Sequence, residues 1–186
     1  FIAELAQSYS HQMLRVFPEC AMAYVSTGDP RYLHKALVAV SRVAVEYAYL
    51  ATMTQHRHRN SWTQVERFGQ GRFDEGPILQ SSGFTTYCID QPGSQLSFAY
   101  AYDAIWPDID KDKEIITFLK GKGFNVQTGA DVRRFIEENL FAVWMQGSMD
   151  GATASNEPWP QRGLVKLAEV MNYRRGTDFM DWLYDG

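Results

Sequence analysis

Two cysteines in 186 residues, Cys20 and Cys88, are too few for a disulfide framework, and neither stands in a CxxC or Cys/His spacing that would hold a metal. A basic excess is missing too. Eighteen Lys and Arg face twenty-two Asp and Glu, a formal net charge of −4 at pH 7, so no global positive field exists to hold nucleic acid or an anionic membrane. Any polyanion must be met by a local patch. Long hydrophobic runs are also absent: the most apolar stretch, residues 36–53, is broken by Ser41, Arg42 and Glu46, which excludes a conventional span of about 20 apolar residues. No signal-peptide pattern opens the chain. Phe1 leads directly into FIAELAQSYSHQML, an amphipathic helical pattern, as expected of a processed product or a piece of something larger. What remains is an ordinary globular composition, 45% hydrophobic, with an unusual 14% of aromatic residues.

Hydrophobic periodicity sets the fold class. Ile2, Leu5, Tyr9, Met13 and Val16 recur at three- and four-residue steps, the stripe of a helix that buries one face. FPEC predicts a turn after it, and residues 19–25 a second short helix ended by Gly28. The best-punctuated helix follows: Asp29 can accept first-turn amide hydrogens, Pro30 supplies its fixed φ, and Leu33, Leu37, Val40, Ala44, Tyr47 and Ala51 form a core stripe to about Met53. Over residues 55–94 the periodicity disappears, a length far beyond the roughly 4–6 residues of a typical connection. That segment is too aromatic and too rich in Arg and His for a flexible linker, although Ile78 with Leu79 and residues 84–89 could form short strands. Long ordered loops on helical scaffolds usually carry binding work. Helices are then predicted over 94–106, stopped by Pro107, and over 111–119. Thr128 and Asp131 resemble a capping box, opening a helix with Val132, Phe135, Ile136, Leu140 and Val143 inward. A helix over 161–171 and a last one from Thr177 complete the pattern. Seven or eight helices with no convincing sheet predict an all-α fold of antiparallel helical hairpins in one domain, 1–186, without the fixed period of a repeat array.

Three phrases, TGDPRYLHKALVAVSRVAVEYAYLA, LSFAYAYDAIWPDID and SNEPWPQRGLVKLAEVMN, occur together and in this order. In that combination the chain resembles the helical toroid domain of heparinase II/III-like and alginate-lyase-like polysaccharide lyases, over most of its length. The resemblance implies an (α/α) toroid, here incomplete, followed by a β-rich domain that would lie beyond Gly186. It implies cleavage of a uronic-acid polysaccharide by β-elimination, and a periplasmic or secreted location. No cofactor is implied, and relatives that hold a structural metal do so in the β domain.

β-Elimination dictates what the residues must do. Taking the proton α to a carboxylate is unfavourable until donors such as Asn, Gln, His or Arg neutralise that carboxylate and stabilise the enolate. A base then removes the proton and an acid, often Tyr or His, supplies one to the leaving oxygen. The resemblance places Asn156 in the carboxylate-binding role. Several relatives carry His directly after this Asn, where this chain has Glu157, a carboxylate that could serve as acid or base and could equally be a solvated loop residue. The family's catalytic Tyr falls past Gly186.

Around these two, the residue types suit an acidic sugar. Trp159 can stack on a sugar face while Gln161 and Arg162 bind hydroxyls or a carboxylate; the plainer use is a Trp staple at a helix start and a surface Arg. His56 and His58 flank Arg57 in a basic loop suited to an acidic sugar, and their spacing without a third ligand is weak support for a metal. Trp62 and Arg72 lie in the same loop. GQG beside Arg72 lacks the Lys-Ser/Thr of a phosphate loop. Of the phenols upstream of Asn156, namely Tyr87, Tyr100 and Tyr102, Tyr100 is the candidate for a substrate groove because it shares a helix face with Asp103, although such a residue is more often core. The expected partner is an acidic polysaccharide or oligosaccharide, with no nucleic acid and no membrane span. Two other readings stay open. One is a glycoside hydrolase pairing Glu157 with Asp103, Asp74 or Glu75 across about 5–9.5 Å. The other is a noncatalytic module that binds acidic saccharide.

Overall fold

The structure, a computed structural model, describes residues 2–46, 91–149, 159–171 and 181. Within these residues the chain is all-α and no strand occurs. Helix α1 (Ile2–Thr27) and α2 (Pro30–Glu46) form the first hairpin, and α3 (Gln91–Ile105) runs into a 3-10 segment, Trp106–Lys111. Next come α4 (Lys113–Gly121) and α5 (Gly129–Ile136), which a π-helical turn, Glu137–Phe141, joins without a break to α6 (Ala142–Met149). Helix α7 (Trp159–Val170) closes the described part. Of the predicted last helix from Thr177 only Asp181 is described, and it is helical; the loop strands and the stripe residues Tyr47 and Ala51 lie outside the described residues. Among the described residues no helix is long and apolar enough to cross a membrane.

The FPEC turn does not exist. Helix α1 continues through Pro18 although proline removes one helical hydrogen bond and costs about 3 kcal/mol or more in a helix interior. Leu14 and Phe17 before the proline, and Ala21 and Tyr24 after it, lie on one continuous buried stripe. Burying a Leu or Phe side chain contributes about 1.5–3 kcal/mol each, so the stripe outweighs the lost bond. The same stripe displaces Val16, expected inward, to a half-buried position at the edge of the core. The end of α1 is as the sequence predicts. Gly28 takes φ +68°, a left-handed conformation costly for other residues, and its N–H donates to the Tyr24 carbonyl at 2.7 Å. Asp29 then accepts the Arg31 amide hydrogen at 2.9 Å, and Pro30 opens α2.

A chain of aromatic rings crosses the interior. Phe17 of α1 meets Phe98 of α3 edge-on at 4.9 Å, Phe98 meets Trp144 of α6 at 5.3 Å, and Trp144 stacks with Phe141 at 6.1 Å. Phe141 meets Tyr102 edge-on at 5.1 Å, which returns the chain to α3. Phe17, Phe98, Tyr102, Phe141 and Trp144 are all fully buried. At its end the Tyr102 hydroxyl donates to Glu137 Oε1 at 2.6 Å, inside the core. Glu137 opens the π turn. Glu137, Leu140 and Phe141 of that turn are all buried, and Asn139 Nδ2 donates to the Phe135 carbonyl at 2.8 Å.

The helix ends are tied by polar contacts. Arg133 of α5 donates to the Trp106 carbonyl through Nε (3.2 Å) and Nη2 (2.7 Å), pairs with Asp110 at 2.7 Å, and lies 4.3 Å over the Trp106 ring. Tyr24 donates to Asp108 at 2.6 Å, which joins the end of α1 to the same 3-10 segment. The Thr128–Asp131 capping box is present at the start of α5. Helix α4 starts two residues later than predicted because Asp112 caps it, accepting the amide hydrogens of Glu114 and Ile115 at 2.9 and 3.1 Å. Helix α3 starts three residues earlier, at Gln91, with Pro92 in its first turn.

Two outcomes follow. Tyr102→Phe keeps the ring packing and removes the hydroxyl donor from a buried carboxylate, so denaturant unfolding should show a loss of about 1.5–3 kcal/mol; a change within experimental error would mean the pair is energetically idle. The pH dependence has a definite sign. Arg31 beside Asp29, Lys111 beside Asp108, Arg133 beside Asp110 and the Gln127 amide hydrogen on Asp131 each hold a carboxyl below its usual range. Their stabilisation is present above the unfolded carboxylate value of about 4 and is lost as the pH falls below it. Burial, with Glu137 beside it, pushes the Tyr102 hydroxyl up, so its contribution holds below about pH 10 and declines as the pH rises further. The melting temperature should therefore plateau near neutrality and fall on both sides.

Candidate functional site

Helix α7 has two faces. Leu164, Leu167, Val170 and Met171 are buried, and the helix packs along α3 and against α6. On the outer face Trp159, Arg162, Lys166 and Glu169 follow at steps of three, four and three, so at 100° per residue they form one stripe. Trp159 is 48% exposed and the Arg162 guanidinium carbon sits 5.7 Å over its ring. From the neighbouring α3, Tyr100 is 52% exposed, and the Lys166 ammonium lies 5.2 Å over that ring. Lys166 is held from two more sides, by Asp103 at 3.7 Å and Glu169 at 3.3 Å. Two open aromatic rings, each with a cation above it, thus share the surface where α3 and α7 meet.

This arrangement does little for the fold. Exposed cation–π contacts contribute about 0.5–1 kcal/mol and exposed ion pairs about 0–1 kcal/mol. Leaving the rings uncovered forfeits more: about 100 Å² of apolar area on each, at 25 cal/mol per Å², corresponds to about 2.5 kcal/mol that a flat ligand could recover. Guanidinium and ammonium groups beside open rings suit a ligand that offers both an apolar face and an anionic oxygen.

Of the sequence candidates, the structure brings Tyr100, Trp159 and Arg162 onto one surface. Tyr100 is exposed, against its commoner use as core. Gln161 starts two positions after Trp159, about 200° round the helix, and its Oε1 is buried without a hydrogen-bond partner among the described residues. Asn156, Glu157, Arg72, His56, His58 and Trp62 lie outside the described residues, as do Tyr87, Asp74 and Glu75. Asp103, a candidate hydrolase carboxylate, is engaged with Lys166. Tyr102, considered among the phenols, has no path to substrate: it is buried, bonded to Glu137, and burial pushes its hydroxyl far from proton-transfer range.

Sequence reasoning missed two residues. Lys166 bridges the two helices, and its signal was available, seven positions after Trp159 on the same stripe. His34 of α2 also went unremarked; its Nδ1 lies 2.8 Å from Asp112 and its Nε2 3.8 Å from Glu114. With Asp112 committed to capping α4, this cluster ties α2 to the start of α4. Its neighbour is a shallow groove of about 350 Å³ lined by Val16, His34, Lys35, Val38, Ala39 and Arg42. Cys20 is half-buried, and burial pushes its thiol above the usual range, so it is not an activated nucleophile. Among the described residues no group of three His, Cys, Asp or Glu side chains could hold a metal ion. Comparison of the chain with protein-family models, with curated proteins and with solved structures returns no match.

Proposed function

We propose that the chain is the sugar-binding helical part of a polysaccharide lyase that cleaves a uronic-acid-containing polymer by β-elimination. The observation that carries the reading is the surface where Tyr100 and Trp159 stand open with Lys166 and Arg162 above them. Pyranose rings have apolar faces that stack on such aromatics, and a uronate adds the carboxylate that a guanidinium binds through paired hydrogen bonds. The three phrases that resemble the helical toroid of heparinase II/III-like and alginate-lyase-like enzymes supply the reaction.

In this account Trp159 and Tyr100 hold sugar rings, and Arg162 draws a carboxylate to the start of α7, where the helix dipole also favours negative charge. Asn156 precedes Trp159 by three residues, within about 10 Å of extended chain. Its amide would donate to the carboxylate of the sugar that loses its α proton and stabilise the enolate formed. Glu157 is the carboxylate beside it for proton transfer, deprotonated when it accepts the α proton and protonated when it donates to the leaving oxygen.

A noncatalytic acidic-saccharide module is the second reading. It is favoured by the composition of the face, where both described carboxylates, Asp103 and Glu169, are paired with Lys166.

Incubation with a panel of uronic-acid polysaccharides, followed by ultraviolet absorbance of the unsaturated product, separates these readings. The lyase account expects such a product and a loss of about 10²–10³ in turnover on Asn156→Ala. It also expects Trp159→Ala to weaken oligouronate binding by about 10- to 100-fold, equivalent to the apolar area of one ring. Reducing ends without ultraviolet absorbance would mean hydrolysis. Binding through Trp159 without any turnover would leave the noncatalytic module.

A further inference from the structure

The two cations of the α3–α7 face are not equivalent. Lys166 is closed in: its side chain is 20% exposed and stands between Asp103 and Glu169, with the Tyr100 ring beneath it. Among the described residues the carboxylates here outnumber the ammonium, so their sum at this end of the face is negative. Arg162 is exposed and has no carboxylate partner among the described residues, and its guanidinium lies over the Trp159 ring. It lies one turn closer to the start of α7, about 6 Å along the axis from Lys166. The dipole of this 12-residue helix reinforces the gradient, positive at the Trp159 end and negative toward Glu169. The chain as a whole is acidic, at −4, so no background field offsets the negative end.

We infer that this face selects a sparsely charged uronate chain, one carboxylate read by Arg162 with a neutral sugar seated on Tyr100, and rejects densely sulfated glycans. The inference rests on the saccharide reading of the face and adds the charge spacing of its ligand. A sugar on Tyr100 that carried its own sulfate or carboxylate would place that anion against Asp103 and Glu169, with the Lys166 ammonium already engaged by both. Repulsion at that distance near a surface amounts to about tenfold in affinity per misplaced charge. Lys166 acts here as a positioning residue, holding the two carboxylates and the Tyr100 ring in place. Arg162 is the group that touches the ligand's anion.

Calorimetric titration of the 186-residue chain with four size-matched oligosaccharides tests this: a neutral one, one alternating uronate with neutral sugar, a homo-oligouronate, and a sulfated uronate-containing one. The alternating oligomer should bind at least about tenfold more tightly than the other three. Arg162→Gln should reduce it to the affinity of the neutral oligomer. The double substitution Asp103→Asn with Glu169→Gln, both surface positions, should raise affinity for the sulfated oligomer about tenfold or more and leave the neutral one unchanged. Binding of the sulfated oligomer as tight as the alternating one, lost on Trp159→Ala, would overturn the charge rule while the saccharide reading survives. Failure of all four to bind would overturn both.

Discussion

Everything in the described core is organised around one buried contact, the hydrogen bond from Tyr102 to Glu137 at 2.6 Å. A carboxylate that is 3% exposed costs several kcal/mol to bury unless its oxygens are bonded, so the Tyr102 hydroxyl and the helix that carries it have little freedom to shift. That requirement fixes where α3 lies against the π turn. The aromatic chain from Phe17 through Phe98, Trp144 and Phe141 to Tyr102 then extends the constraint from α1 to α6.

The candidate site inherits its rigidity from this core. Helix α3 presents Phe98 and Tyr102 inward, so Tyr100, between them in sequence, is carried outward by helical periodicity. Helix α7 buries Leu164, Leu167 and Val170, which turns the Trp159–Arg162–Lys166–Glu169 stripe away from the core. A binding surface made of two helices held by a packed core is more precise than one made of loops alone. The interactions across its own surface are weak ones, and their weakness matters functionally: the rings and the Arg162 guanidinium are free to exchange contacts with one another for contacts with a ligand.

Much of this was legible in the sequence, and the failures are instructive. The Asp29–Pro30 start, the Gly28 stop and the Thr128–Asp131 box depend on local chemistry within four residues, and each is found in the structure. FPEC misled because a proline's local cost of about 3 kcal/mol was weighed without the long-range burial of Leu14, Phe17, Ala21 and Tyr24 on one stripe. Tyr100 leaned toward core for a related reason: LSFAYAYDAIW is apolar nearly all round, and only the partners of α3 decide which phenol is inside. The π turn has no sequence signature of its own. Lys166 has a place on the Trp159 stripe that the sequence does show, but its weight comes from contacts with Asp103 and Tyr100, more than sixty residues away in the chain.

The central claim is that the α3–α7 face takes up an acidic sugar. Nuclear magnetic resonance of isotopically labelled chain titrated with a uronate oligosaccharide tests it most directly. The account predicts saturable shifts concentrated on the Trp159 indole, the Arg162 guanidinium and the ring of Tyr100, with the buried Trp144 indole unmoved. Saturable shifts centred elsewhere, with Trp159 and Arg162 unchanged, would contradict it.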